Sequence, residues 1–369
     1  MKITVVREEF LKAFELAAMV APSRATKAIM QNIKVQVLPH GVKLYATDAD
    51  VSIVVDHACD RIDKPGTVLL DAGRAKSILR ECSDQHVTLE LDDNVVLLTS
   101  SSSRFKLPTA NADEFPSIGH VDLPEDQMTL SREALSAAIK ATSFAVDSES
   151  TRYALGGVLF ERCDDDTALL VATDGRRLVK AVARISDKQA NWQGGVIVPA
   201  AALKVIERIA SGETVTLHST NNEIYCVGNG VLLRATLIEG RFPNWRQVVP
   251  SGYTDQVVMP IGILSSLIRQ AAITADPESR GVDFVFEDGQ LTVSSITADV
   301  GEARLTMPVA FVGKLHTRLD SRYLLEFLRQ FEASAQLTFR MKDGRSSVVL
   351  EAGTALIVCE YVVMPMAIE

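Results

Sequence analysis

Three stretches of the chain begin alike: ITVVREEFLKAFELAAMVAP at residues 3–22, MTLSREALSAAIKATSFAVD at residues 128–147 and VVMPIGILSSLIRQAAITAD at residues 257–276. They align without gaps, and in each a short alternating strand pattern leads into a helix pattern. Large apolar residues occupy the same two helical positions in all three stretches: Phe10 and Phe14, Leu135 and Ile139, Leu264 and Ile268. Positions four residues apart lie on one face of a helix, so the chain is expected to repeat one strand–helix unit three times.

The remainder of each unit also recurs. A pair of strands is predicted after the first helix of each unit, at residues 33–38 with 42–47, 158–162 with 168–173, and 282–287 with 290–295. A further strand that leads into a second helix is predicted at residues 68–82, 196–210 and 316–331. These patterns predict an α+β fold of three β-rich repeats, at residues 1–125, 126–254 and 255–369.

Open sheet edges follow from this arrangement. The end strands of a sheet expose unpaired backbone groups unless another strand covers them. Three similar units in a row can pair edge to edge, and head-to-tail contact between two copies covers the last edges if the rotation closes. Equivalent helices would then line the inside of a closed ring.

The composition excludes several classes of protein. The 369 residues include 38 Lys and Arg against 47 Asp and Glu, which gives a net charge of −9. An apolar content of 47% excludes a disordered or collagen-like chain. The acidic balance argues against a protein that is basic throughout, such as a histone-like DNA coater, but it leaves room for a local basic stripe.

The cysteines and the apolar runs indicate a compartment. The number of cysteines is odd, and no two lie within four residues of each other: Cys59, Cys82, Cys163, Cys226 and Cys359. This spacing argues against a disulfide framework or a C-x-x-C zinc site. We expect a reducing compartment in which the thiols serve as small core residues. No apolar run has the length of a signal peptide or a membrane helix, so a cytoplasmic protein without a membrane partner is expected.

Catalytic motifs are weak or absent in the sequence. No phosphate-binding glycine loop follows a strand, and the S-x-x-K match at Ser103 falls in a predicted strand without its companion boxes. Asp48 and Asp174 each follow Ala-Thr at the end of a strand, which favours a shared structural turn over two metal sites. The acidic run at residues 164–166 is interpreted as a solvated turn. We therefore expect no catalytic residues, no metal and no cofactor.

Two interpretations of the repeated fold remain open at this point. One is a small-molecule enzyme on a duplicated α+β fold, with the acidic pairs binding a metal. The other is a ring-shaped scaffold that does not act on DNA.

Four strings go beyond the generic repeat: RYALGG at residues 152–157, ATDGRRL at 172–178, EGRFPNW at 239–245 and YVVMPM at 361–366. Together with the repeats, they make the whole chain resemble the bacterial β sliding clamps, the processivity subunits of DNA polymerase III. The resemblance implies three clamp units with sheets outside and two helices each inside. It also implies a head-to-tail homodimeric ring around duplex DNA that reads no base sequence and has no catalysis of its own.

The resemblance further implies a pocket for short linear peptides of partner proteins. These partners are the polymerase III catalytic subunit, other polymerases, the clamp loader, mismatch-repair proteins and ligase. Carried over by motif, the pocket residues are Arg152, Leu155, Thr173, Gly175, Arg176, Arg177, Leu178, Pro243, Val248, Tyr323, Ser347, Val362, Val363, Met364, Pro365 and Met366. Leu, Val, Met and Pro provide an apolar cleft, and Arg152 and Arg177 are expected to meet polar or carboxylate groups of the peptide.

Two more sets of residues follow from the same resemblance. Basic residues expected on the inner helices to face DNA are Arg24, Arg74, Lys76, Arg80, Lys140, Lys204, Arg208 and Arg269. The subunit interface is expected to join the first repeat of one copy to the third repeat of the other. The resemblance assigns the apolar part of this interface to Phe105 and Leu107 on one side and to Ile273 on the other.

Overall fold

The computed structural model of the chain describes residues 1–118, 122–147, 153–164, 166–186, 192, 194–209, 213–253 and 255–368. These residues divide into two compact units. The first contains the described residues within Met1–Arg132, Gln189–Trp192 and Ala201–Leu237. The second contains those within Glu133–Lys188, Gln193–Ala200 and Ile238–Glu369. Both units are mostly β-sheet.

The described residues form seven α-helices: α1 Arg7–Ala18, α2 Ala72–Glu81, α3 Arg132–Ser143, α4 Ala200–Ile209, α5 Trp245–Val248, α6 Ile261–Ala271 and α7 Ser321–Leu328. Apart from the short α5, they are the two helices predicted for each repeat. The apolar pairs that align between repeats are all buried within α1, α3 and α6. Burial of each such side chain contributes about 2 kcal/mol, which explains why the helical pattern recurs.

The strands of the first repeat are β1 Lys2–Val6, β2 Asn32–Leu38, β3 Gly41–Thr47, β4 Val51–His57, β5 Arg61–Lys64, β6 Gly66–Asp71, β7 His86–Asp92, β8 Val95–Thr99 and β9 Arg104–Pro108. Those of the second are β10 Gln127–Ser131, β11 Gly157–Arg162, β12 Thr167–Thr173, β13 Arg177–Arg184, β14 Gly195–Pro199, β15 Thr214–Ser219, β16 Glu223–Gly228 and β17 Val231–Thr236. The third repeat contributes β18 Asp255–Pro260, β19 Gly281–Glu287, β20 Gln290–Thr297, β21 Gly301–Pro308, β22 Lys314–Asp320, β23 Gln336–Met341, β24 Val348–Gly353 and β25 Ile357–Val363. The predicted strand positions are confirmed to within two residues.

Each unit contains one eight-stranded sheet shared by two repeats. In the first unit the strand order is β10-β15-β16-β17-β4-β3-β2-β6, and β17 pairs with β4 antiparallel, with Leu233 opposite Ile53. In the second unit the order is β14-β11-β12-β13-β25-β24-β23-β18, and β13 pairs with β25, with Leu178 opposite Val362. The predicted edge-to-edge pairing of successive repeats is confirmed, and it divides the strands of the second repeat between the two sheets.

Each unit also contains a smaller sheet. The first unit has the order β5-β1-β7-β8-β9, and the second has β21-β20-β19-β22. β9 and β21 are therefore end strands, each hydrogen-bonded to one neighbour only. A strand in this position exposes a row of backbone donors and acceptors.

Local sequence signals explain several element boundaries. Asp71 and Asp320 cap α2 and α7, where their side chains accept the N–H groups of Arg74 and Arg322 at 2.8 Å. Asn229 and Gly230 have φ values of 45° and 73° between β16 and β17, which is the conformation that a tight hairpin requires.

The cysteine prediction is correct in part. Cys82, Cys226 and Cys359 are buried, but Cys59 is only partly buried and Cys163 is exposed. Burial raises the pKa of the Cys226 and Cys359 thiols to about 12, so both stay protonated at neutral pH. In the described part of the chain, no helix is long and apolar enough to cross a membrane.

Candidate functional site

Two turns at corresponding places in the first and second repeats are built from the same hydrogen bonds. Between β3 and β4, Oδ1 of Asp48 accepts the backbone N–H groups of Asp50 and Val51 at 3.1 and 2.7 Å. Between β12 and β13, Oδ1 of Asp174 accepts the two corresponding N–H groups at 2.9 and 3.0 Å. The interpretation of these aspartates as a shared structural turn is therefore confirmed.

A groove opens beside the second turn, and we call it the Leu178 groove. Its cavity of about 340 Å³ is lined by residues of the turn, of β25 and of the segment around α5: Leu155, Thr173, Gly175, Arg176, Arg177, Leu178, Pro243, Trp245, Val248, Val362 and Met364. Apart from Trp245, all of them belong to the predicted peptide pocket. Motifs that are far apart in the sequence thus meet at one surface of the second unit.

The floor of the Leu178 groove is the top of a packed apolar core. Leu178, Val362 and Trp245 belong to one buried cluster of this unit. Val248 and Met364 stand at the rim, with exposed fractions of 48% and 53%. A buried apolar floor with exposed apolar side chains at its rim suits the apolar side chains of a peptide.

Trp245 is the lining residue that the sequence interpretation missed. Its ring is 8% exposed and lies 4.2 Å from the guanidinium carbon of Arg246, which in turn pairs with Glu161 at 2.9 Å. Among the described residues, Nε1 of Trp245 has no hydrogen-bond partner. The motif EGRFPNW contains this residue, but a tryptophan is often a core residue, and the sequence does not show that its ring borders a groove.

The structure corrects the role predicted for Arg177. Its side chain is nearly buried, pairs with Asp174 at 2.9 Å and with Glu326, and donates to the carbonyl oxygen of Phe144 at 2.8 Å. Burial disfavours its charged form, but Tyr361 and Glu326 raise the pKa of Arg177 overall. Since its donors are occupied inside the protein, Arg177 holds the turn in place and is not available to a peptide carboxylate.

Arg176 is the neighbouring cation that remains accessible. It is exposed in the lining of the Leu178 groove, and its interaction with Tyr323 raises the pKa of the guanidinium. Tyr323 itself is buried and stacks against Arg177, whose guanidinium carbon lies 4.4 Å from its ring centroid. Arg176 is thus the exposed cation of the groove lining, whereas Arg177 is enclosed by its partners.

The other predicted pocket residues lie near the groove or outside it. Val363 is fully buried on the opposite face of β25 from Val362, so we remove it from the lining. Ser347 is partly buried just before β24. Pro365 and Met366 are partly buried, and the Met366 N–H donates to the carbonyl oxygen of Arg318 at 2.8 Å. Arg152 lies outside the described residues.

Basic side chains gather on two helices of the first unit. Arg74, Lys76 and Arg80 lie on α2, while Lys204 and Arg208 lie on α4. Lys76, Arg80 and Arg208 line one cavity of about 720 Å³ together with Lys12 of α1. Arg80 is paired there with Glu15 at 2.5 Å. Lys12 was missed because the comparison of repeats followed apolar positions only.

The remaining predicted basic residues differ in their placement. Lys140 on α3 and Arg269 on α6 are exposed in the second unit. Arg24 is exposed but lies after the end of α1, so its assignment to an inner helix is wrong. The helix ends at Ala18 with Met19 as its C-cap, and Arg24 lies in the following loop that contains Pro22.

The residues predicted for the subunit interface lie at or near the open edges. Phe105 and Leu107 alternate along β9, where they are partly buried and buried respectively. Ile273 follows α6 and is 73% exposed. The next residue, Thr274, bonds Ser295 of β20 through their hydroxyl groups at 2.7 Å, which places Ile273 beside the sheet that ends in β21.

Within the described residues, no group of three or more His, Cys, Asp or Glu side chains is arranged to hold a metal ion. The site that the structure does assemble is a surface groove beside Asp174 and Glu326, two carboxylates that pair with Arg177.

Comparison with known proteins identifies the family. Models of the N-terminal, central and C-terminal domains of the DNA polymerase III beta subunit match residues 1–119, 129–244 and 246–367 in that order. The chain belongs to the DNA polymerase III beta subunit family, the beta sliding clamps. Members of this family are processivity factors, and the chain is a sliding clamp without catalytic activity.

Relatives of this sliding clamp match along the whole chain. The beta sliding clamp of Proteus mirabilis is 29% identical over 372 residues, covering 99% of this chain and 100% of that protein. The beta sliding clamp of Escherichia coli K12 is 28% identical over 370 residues, with the same coverage. A crystal structure of the Pseudomonas aeruginosa DnaN sliding clamp bound to griselimycin has a TM-score of 0.91 at 26% identity and full coverage of both chains.

Proposed function

We propose that two copies of this chain close head to tail into a ring around duplex DNA, and that the Leu178 groove tethers replication and repair proteins to it by their linear peptides. The observation that carries the tethering role is the groove itself, where a buried apolar floor meets exposed side chains at the rim. The partners would be the polymerase III catalytic subunit, other polymerases, the clamp loader, mismatch-repair proteins and ligase.

The proposed ring uses two of the end strands, β9 and β21. β9 presents Phe105 and Leu107 on one face and Arg104 and Lys106 on the other. β21 alternates in the same way, with Ala303, Leu305 and Met307 on its more buried face and Glu302, Arg304 and Thr306 exposed. An antiparallel pair between β9 of one copy and β21 of the other would match apolar faces and set Glu302 among the basic side chains of β9.

The proposed contact with DNA uses the helices. The candidates are Arg74, Lys76, Arg80, Lys140, Lys204, Arg208 and Arg269, together with Lys12. Such side chains would meet phosphates at any base sequence, and weak contacts would allow the ring to slide. The repeats at residues 1–125, 126–254 and 255–369 would supply six modules to the ring, and we place the protein in the cytoplasm with the replication machinery.

A matched pair of variants tests the tethering role. Val248→Ala trims the rim of the Leu178 groove, and Val258→Ala removes the same atoms from a valine that is exposed to a similar degree on β18, outside the groove. We expect Val248→Ala to weaken binding of a fluorescein-labelled clamp-binding peptide of the polymerase III catalytic subunit about fivefold, or about 1 kcal/mol. Val258→Ala should bind like the unaltered protein. Equal affinity of all three proteins would refute the groove assignment.

A further inference from the structure

The first unit contains a second groove at the place that corresponds to the Leu178 groove, and we call it the Ser52 groove. Its cavity of about 530 Å³ is lined by Pro22, Arg24, Ala25, Thr26, Lys27, Met30, Thr47, Asp48, Ala49, Ser52, Pro116, Ser117, Ile118 and Arg234. Thr47, Asp48 and Ser52 hold the places of Thr173, Asp174 and Leu178 in the aligned turns. Pro116 follows Phe115 as Pro243 follows Phe242. The same local arrangement of the backbone therefore forms one groove in each unit.

The hydrogen bonds of the two grooves agree in detail. Thr47 Oγ1 donates to the carbonyl oxygen of Val51 at 3.0 Å, as Thr173 Oγ1 does to that of Arg177 at 2.6 Å. The sheet pairing agrees too. Ser52 lies opposite Arg234 across β4 and β17, as Leu178 lies opposite Val362 across β13 and β25.

The side chains on this common framework are different. Where the Leu178 groove has Leu178 and Val362, the Ser52 groove has a serine and an arginine. Ser52 shares a hydrogen bond of 2.8 Å with Thr47, so its hydroxyl belongs to the turn. Arg234 is exposed and reaches the carboxylate of Glu223. An apolar anchor that fits the Leu178 groove would here lie against charged and polar atoms, at a cost in desolvation.

The free charge in the Ser52 groove is positive. Arg24 and Lys27 are exposed, and neither has an ion-pair partner among the described residues. The acidic lining residue, Asp48, uses its Oδ1 atom to hold two backbone N–H groups of the turn. Unpaired cations at the mouth of a concave site select anionic groups.

The groove also has apolar surface that a purely ionic ligand would not need. Met30 is nearly buried in its floor, and Pro22, Pro116 and Ile118 are partly buried around it. A peptide can place one aliphatic side chain on this floor while its carboxylates meet the cations. The phosphates of a DNA duplex have no aliphatic group to place on this floor.

We propose that the Ser52 groove is a second peptide-binding site, which takes a short acidic segment of a partner protein that contains one aliphatic residue. Its specificity is complementary to that of the Leu178 groove, because the two grooves share a backbone framework and differ in charge. One clamp could then hold two different linear segments. The inference depends on the geometry of the first unit and stands independently of the proposed role of the Leu178 groove.

The test uses a fluorescein-labelled peptide with the sequence EDELDDE and its uncharged counterpart QNQLNNQ, titrated with the full chain. Arg24→Glu combined with Lys27→Glu reverses both free cations at exposed positions, where the fold should tolerate the change. Arg61→Glu combined with Lys64→Glu is the matched control, since it makes the same change of net charge on exposed residues of β5 outside the groove. Leu178→Ala reports on the other groove.

We expect EDELDDE to bind, and the Arg24 and Lys27 reversal to weaken its binding at least about tenfold, which corresponds to about 1.4 kcal/mol. The control pair and Leu178→Ala should leave the affinity within about twofold, a change of about 0.4 kcal/mol, and QNQLNNQ should not compete. Equal loss in both charge-reversed proteins, loss with Leu178→Ala, or failure of EDELDDE to bind would each overturn the proposal. So would binding of a short DNA duplex, but not of the peptide, that depends on Arg24 and Lys27.

Discussion

One of the differences between the two corresponding turns reveals the backbone strain in the first. Ala49 has φ = 88° in the first repeat, and Gly175 has φ = 85° at the same place in the second. Only glycine adopts this conformation without a steric cost. No atom lies within 4 Å of a Cβ added to Gly175, so the cost of a side chain there comes from the backbone alone.

Reciprocal substitutions test this reading of the turns. Ala49→Gly should raise the free energy of unfolding by about 1 kcal/mol, and Gly175→Ala should lower it by about the same amount. Urea denaturation followed by circular dichroism measures both. Ala110→Gly, in an exposed loop with ordinary φ, is the control and should lower stability slightly. Destabilisation by Ala49→Gly would contradict the argument.

The adjacent arginines should separate stability from binding. Arg177→Met leaves Asp174 and Glu326 without their shared partner and should reduce the free energy of unfolding by about 3 kcal/mol. Arg176→Met removes an exposed cation and should change the free energy of unfolding by less than about 0.5 kcal/mol. It should, however, weaken the binding of peptides that place a carboxylate beside Arg176 in the Leu178 groove. Thermal unfolding and fluorescence anisotropy distinguish the two. A stable Arg177→Met protein would show that its buried pairs matter little.

At the scale of elements, hydropathy predicted local structure better than long-range pairing. The strand and helix positions followed from alternation and from apolar residues four apart, as at Phe10 and Phe14. Periodicity does not specify which strand ends a sheet, so the sequence did not identify β21 as an end strand. The division of the second repeat between two sheets was also hidden, since strand partners depend on distant residues.

The site was predictable to a similar extent. Motif resemblance brought Leu178, Val248 and Met364 to one groove, but it misassigned Arg177 because a sequence does not show how deeply an arginine is buried. Trp245 was missed for the related reason that a sequence does not show which core side chains border a groove.

The free edge of β9 allows a test of a single element. The backbone N–H groups of Ser100 and Thr109 donate to the carbonyl oxygens of Ser103 and Asn94 at 2.9 and 3.1 Å. Because hydrogen-bonded and non-hydrogen-bonded pairs alternate along β8 and β9, the Lys106 N–H points away from β8. Lys106→Pro should therefore preserve the sheet and block a partner strand, raising the dimer dissociation constant at least about tenfold, or about 1.4 kcal/mol.

Light scattering against concentration measures this dimer. The unaltered chain, of 40.1 kDa, should show twice its mass at concentrations where Lys106→Pro is largely monomeric. Lys106→Thr removes the same charge but retains the N–H and serves as the control. If Lys106→Pro dimerises like Lys106→Thr, β9 is not the strand that pairs.

At the scale of the whole molecule, the net charge of −9 does not decide the partner. A protein that held DNA by affinity alone would need an excess of basic groups, as its binding would depend on phosphate contacts. A ring that encloses DNA needs only a few basic side chains on its inner helices, such as Arg74 and Lys204, and can be acidic elsewhere. Retention then depends on the topology of the DNA.

Release from DNA on linearisation tests the central claim most directly. The protein is loaded onto nicked circular DNA with its clamp loader and ATP, separated from free protein by gel filtration, and the DNA is then cut once with a restriction enzyme. We predict that the protein elutes with the circular DNA and leaves it after the single cut, because it slides off the ends. Protein that stays bound to the linear DNA, or that binds linear DNA equally well without the loader, would contradict a sliding ring.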